Sequence, residues 1–129
     1  MGVDMEMNVL IVDDYTTMLS IIKNLLKQLG FFNVDEATDG SMALEKLKEK
    51  TYGLVISDWN MMPMNGYDLL KEIRESSEDF NEVPFIMVTA DSKTENVMAA
   101  KEVGVNNYIA KPFNAEILKS KISRSVGHF

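Results

Sequence analysis

Short apolar runs that each end in a reactive polar residue constrain this chain more than any other feature. Val9-Leu-Ile-Val12 leads into Asp13-Asp14, Leu54-Val-Ile-Ser57 into Asp58, Phe85-Ile-Met-Val88 into Thr89, and Tyr108-Ile-Ala110 into Lys111. Runs this short and this rich in β-branched residues read as strands covered on both faces. With Val34 to Ala37 they make five strands, at Asn8–Val12, Val34–Ala37, Leu54–Ser57, Phe85–Val88 and Tyr108–Ala110, separated by segments of helical periodicity. Strict alternation of strand and helix predicts an α/β fold with a parallel sheet and five helices. In such a sheet the C-terminal strand ends gather on one edge, where open α/β folds build their sites.

The first helix begins near Thr16 and carries Met18, Ile21, Ile22, Leu25, Leu26 and Leu29 at helical spacing, with Gly30 as its stop. A second starts at Asp39-Gly40, with Asp39 as cap, and a third is entered from Asn65-Gly66 and buries Leu69, Leu70 and Ile73. Ser76 to Pro84 reads as a surface loop. The fourth helix, Lys93 to Val103, has the weakest apolar stripe, because Ala99, Ala100 and Lys101 dilute Val97, Met98 and Val103. Its packing should be the loosest. The fifth follows Pro112-Phe113, is capped by Asn114 and uses Ile117, Leu118 and Ile122.

A chain of 129 residues suits one domain, residues 1–129, with 1–6 as a disordered N-terminal extension, and its 46% hydrophobic content can close one core. Twenty acidic against 13 basic residues, a net charge of −7, exclude a basic nucleic-acid face. There is no cysteine to staple the fold. No apolar run approaches the ~18 residues of a membrane span, and no secretory signal opens the sequence, so a cytoplasmic protein is expected.

Each candidate residue has an ordinary reading. Asp14 could simply cap the first helix, Asp58 could open a turn, Thr89 suits any strand, and Lys111 could be a solvated strand-end charge. Together they read differently. Asp13 and Asp14 at a buried sheet edge repel one another, and a third carboxylate arriving as Asp58 makes a hard divalent cation the natural remedy. Magnesium fits best, because it takes oxygen ligands and keeps waters that bridge to phosphate. One carboxylate could then attack phosphorus, with the Lys111 ammonium balancing charge.

Asp13-Asp14, Asp58, Thr89 and Lys111-Pro112 match the five-point signature of response-regulator receiver domains, and the chain resembles that family from about Met7 to Ile122. Within it, Ile56-Ser-Asp-Trp-Asn-Met61, with the lone Trp59, and Asn24-Leu-Leu-Lys-Gln-Leu-Gly30 are similar to the single-domain chemotaxis regulators. The resemblance implies a flavodoxin-like, doubly wound sheet in the order 2-1-3-4-5; the order belongs to the resemblance alone, since nothing in the five runs fixes which strands are neighbours. It further implies that a histidine kinase phosphorylates Asp58. Mg²⁺ would be held by Asp14 and Asp58, by Asp13 largely through water, and by the backbone carbonyl of Asn60. Thr89 and Tyr108 would act as the switch, and a cis Lys111-Pro112 bond is expected. Asn60 and Asp91, two positions beyond the acceptor and the threonine, would tune the lifetime of the phosphoryl group.

The implied output is a phosphorylation-dependent change on the face of helix 4, strand 5 and helix 5, recognised by a target such as the flagellar motor switch, with a phosphatase as a further partner. A monomer that is no enzyme beyond its own phosphorylation and dephosphorylation is expected. A phosphate sink, a relay intermediate or a receiver excised from a larger regulator are the alternatives. A phosphatase of the haloacid dehalogenase type is disfavoured, since Asn60 stands where that chemistry needs a second aspartate. One departure from the family pattern is visible: Met62 intervenes and Pro63 comes one place late, while Gly66 keeps its place, which bears on how a kinase or phosphatase docks beside the loop.

Overall fold

A computed structural model describes residues 5–90 and 94–127. Five strands, β1 (Val9–Val12), β2 (Val34–Ala37), β3 (Leu54–Asp58), β4 (Phe85–Thr89) and β5 (Asn107–Ala110), alternate with α1 (Thr16–Gln28), α2 (Gly40–Glu49), α3 (Gly66–Glu75), α4 (Thr94–Val103) and α5 (Ala115–Val126). The strands form one parallel sheet in the order β2-β1-β3-β4-β5. This is the doubly wound arrangement that the resemblance implied.

The period of two along each strand divides the core into two layers. Leu10, Val12, Val55, Phe85 and Met87 face α2 and α3, meeting Ala43, Leu47, Leu69, Leu70 and Ile73. Val9, Ile11, Ile56, Ile86 and Val88 face the other way, onto Leu19, Ile22 and Leu26 of α1 and Leu118 and Ile122 of α5. Every residue of β1, β3 and β4 is buried, as central parallel strands require.

Side-chain caps start three helices: Asp39 accepts from the Met42 amide at 2.9 Å, Asn65 from Asp68 at 2.8 Å and Asn114 from Ile117 at 2.9 Å. α1 is different. Its N-cap is Tyr15, which makes no side-chain cap bond, so the capping reading of Asp14 does not hold. Gly30 closes α1 with a φ of 101°, a conformation that disfavours a Cβ.

Ser76 to Pro84 is more structured than a surface loop, because Asp79–Glu82 forms a 3-10 helix and Val83 is buried. The half-buried Arg74 fastens it: its guanidinium donates to the carbonyls of Asn81 and Gly104 and to Oδ1 of Asn106, each at 3.0 Å. α4 has the thin packing expected. Ala100 is its buried side chain among the described residues and Met98 is exposed. Residues 1–4, Asp91 and Lys93 lie outside the described residues. Of the expected N-terminal extension, Met5 packs on the α1 and α5 side of the core and the Glu6 carbonyl accepts from Asn33, so these two belong to the folded body. None of the described helices is long and apolar enough to cross a membrane.

Candidate functional site

The register explains how residues far apart in sequence become neighbours. Val12 stands opposite Ser57, Asp58 opposite Val88, and Thr89 opposite Ala110. Asp13, Asp58, Thr89 and Lys111 therefore emerge at nearly one level on three adjoining strand pairs. Asp58 and Thr89 are themselves the last residues of their strands.

Asp13, Asp14 and Asp58 each bring a carboxylate oxygen within 4.8 Å of the others. Asp13 and Asp58 are buried, whereas Asp14 opens to solvent. Lys111 reaches over them, with Nζ 2.9 Å from Asp58 Oδ1 and 3.9 Å from Asp13 Oδ2. Asp13 Oδ2 is buried with no donor among the described residues in hydrogen-bond geometry, whereas the buried Asp58 Oδ1 is paired with the Lys111 ammonium. The ammonium offsets charge without completing the oxygens' coordination. Polar atoms are rarely left this way, and a hard cation with waters is the group that this donor set fits.

Burial raises both buried carboxyls. Asp13 is pushed up to about 6, mainly by desolvation, with the charges of Asp58 and Asp14 adding to it and the Tyr15 amide and Lys111 opposing. Oδ1 of Asp13 accepts that amide at 2.9 Å. Asp58 is likewise raised by burial, against the pull of Lys111.

The loop after β3 is shaped by its backbone. The Trp59 amide donates to the Val88 carbonyl at 2.9 Å, and the Gly66 amide returns to the Trp59 carbonyl at 2.8 Å. A Cβ on Gly66 would collide with the Asp58 carbonyl, so only glycine lets α3 begin this close to the end of β3. The sequence marked Gly66 by position but not by this contact. It also missed the ring of Tyr67, which stacks on Trp59 at 5.7 Å, one residue after that glycine. The Asn60 side chain is exposed, and Met62 is the most exposed large apolar residue among the described residues, at 78%. Lys111-Pro112 is cis, as the resemblance implied, and so is Met62-Pro63, which the sequence did not single out.

Thr89 is buried at the end of β4, and Tyr108 on β5 is half-buried with Lys121 Nζ 5.5 Å from its ring centre. Asp91 lies outside the described residues.

The response regulator receiver domain model matches residues 9–123. The chemotaxis protein CheY-3 of Vibrio cholerae serotype O1 is 49% identical over 119 residues, covering 92% of this chain and 91% of its own. The chemotaxis protein CheY of Pseudomonas aeruginosa is 47% identical over 118 residues, covering 92% and 94%. Among solved structures, Vibrio cholerae CheY4 superposes with a TM-score of 0.87 at 31% identity, over 94% of this chain and 99% of its own. The receiver domain of a sensor histidine kinase from Pseudomonas aeruginosa, solved with magnesium coordinated in its active site cleft, gives 0.83 at 28% identity, over 93% and 97%. A family match across most of the chain, with CheY-type chemotaxis regulators among its relatives, makes this protein a member of the response regulator receiver family, a signalling component of two-component systems.

Proposed function

We propose that the chain is a cytoplasmic receiver that accepts a phosphoryl group on Asp58 from the phosphohistidine of a kinase. The observation that carries this reading is the Lys111 ammonium 2.9 Å from Asp58 Oδ1, within a group of three carboxylates. An Asp58 oxygen attacks phosphorus, the P–N bond to the kinase imidazole breaks with its electron pair leaving on nitrogen, and an acyl phosphate remains. Lys111 then turns from the carboxylate to a phosphoryl oxygen. Asp14, Asp58 and the Asn60 carbonyl, with Asp13 largely through water, would hold magnesium, which would supply charge neutralisation.

Thr89 donates its hydroxyl to the new oxygens, and Tyr108 follows it inward. The face of α4, β5 and α5 changes with them. In a relative of the chemotaxis regulators the target of that face is the flagellar motor switch. Asn60 and Asp91 orient or exclude the water that ends the signal.

Incubation with a small phosphodonor and Mg²⁺, followed by intact-mass and peptide mapping, tests the chemistry. One phosphoryl group should appear on Asp58 and be absent from Asp58→Asn. Acid-stable label persisting in Asp58→Asn would point to serine or threonine and defeat the assignment.

A further inference from the structure

Away from the carboxylate pocket, two clefts of about 440 and 380 Å³ open between α2 and the Ser76–Val83 segment, and they meet at Lys48 and Phe80. Their floor is apolar. Leu44 and Phe80 are partly exposed there, over buried Leu47, Tyr52 and Val83. One wall is acidic and wholly exposed: Glu72, Glu75, Glu78, Asp79 and Glu82 line it, and none of them forms an ion pair among the described residues. The other wall offers Lys48 and Lys50, but Lys50 is held by Asp35 at 2.9 Å. The groove therefore presents a surplus of negative charge along an apolar strip.

The acidic wall is also preorganised. Arg74 grips the Asn81 carbonyl at 3.0 Å, Asn81 Nδ2 donates to the Ser76 carbonyl at 3.0 Å, and the Glu78 amide donates to Ser76 Oγ at 3.0 Å. Holding the wall in place lowers the ordering cost of a partner.

We propose that this groove docks an amphipathic segment of another protein, with leucine-like side chains over Leu44 and Phe80 and lysines or arginines along the acidic wall. Charge complementarity selects this occupant. A second copy of the chain, itself carrying −7, would meet repulsion rather than steering. The docked segment would lie on the α2–α3 side of the sheet, leaving the α4, β5 and α5 face free.

A fluorescein-labelled helical peptide of leucines and lysines serves as the probe, titrated into the isotope-labelled full chain. Amide shifts should concentrate in residues 44–52 and 72–83. Reversing three exposed charges, Glu78→Lys, Asp79→Lys and Glu82→Lys together, should weaken binding by roughly tenfold or more, and Lys48→Glu should tighten it a few-fold. A leucine-free lysine peptide should bind far more weakly. Equal binding by the triple variant or by the leucine-free peptide, shifts centred on Asp13, Asp14 and Asp58, or a dimer of the chain formed through this groove would each overturn the proposal.

Discussion

α3 and α4 flank the same stretch of sheet, yet they are built to opposite standards. α3 buries Leu69, Leu70 and Ile73 completely, is capped by Asn65 and is tied down by Arg74, while α4 offers Ala100 as its buried side chain among the described residues and leaves Met98 57% exposed. The difference follows from what precedes each helix. α3 begins beside the Asp58 carbonyl, where Gly66 allows no latitude, and so it fixes the backbone at Asp58. α4 follows Thr89, where a rigid helix would resist movement. Under the proposed function the chemistry at Asp58 calls for an immobile neighbour and the switch for a mobile one, and segments that move belong to the weakly packed end of a structure.

Core truncation gives the largest test of this contrast. Leu70→Ala in α3 should cost about 2–5 kcal/mol by urea unfolding, since a wholly buried leucine leaves a cavity. Val103→Ala, on the partly buried side of α4, should cost less than about 2 kcal/mol. Equal losses would erase the distinction between the helices. Next in size is Gly66→Ala, where the added methyl meets backbone that cannot yield and should cost about 1–3 kcal/mol while lowering the phosphorylation rate.

The pH dependence sharpens the other half of the comparison, the charged edge itself. The Asp13 carboxyl, ordinarily near 3.8, keeps its proton up to about 6 in the fold. Between those values the folded state binds more protons than the unfolded one, so metal-free stability should fall as pH rises through the window. Mg²⁺ competes with that proton, and its stabilising effect should grow as pH passes about 6. Melting temperatures with and without Mg²⁺ measure both trends, and Asp13→Asn should flatten them. The smallest effect is expected at Lys121→Ala, where loss of the cation over the Tyr108 ring should cost about 0.5–1 kcal/mol or less.

Much of this architecture was legible because it is local. Asp39 and Asn114 announce helix starts by being short polar residues before apolar stripes, and both cap as read; Asn65, read only as the entry to the third helix, caps it as well. The strand ends were equally visible, since each apolar run stops at a residue that cannot be buried cheaply. Strand order was not, because parallel neighbours are joined through helices and nothing in one strand names its partner. Arg74 shows the same limit. Its acceptors at Asn81, Gly104 and Asn106 lie 7, 30 and 32 residues away, and nothing in the residues beside it on α3 names them. The 3-10 helix at Asp79–Glu82 escaped because four residues carry no period to recognise.

The central claim is that phosphate on Asp58 is felt at α4 and β5 through Thr89. Amide spectra of the full chain, recorded with and without phosphodonor and Mg²⁺, test it most directly. In the wild type, changes should run from the carboxylate pocket into Val97–Val103 and Tyr108; in Thr89→Ala, Asp58 should still be phosphorylated while those distant changes largely vanish. Changes confined to the pocket in the wild type, or undiminished at α4 in Thr89→Ala, would contradict it.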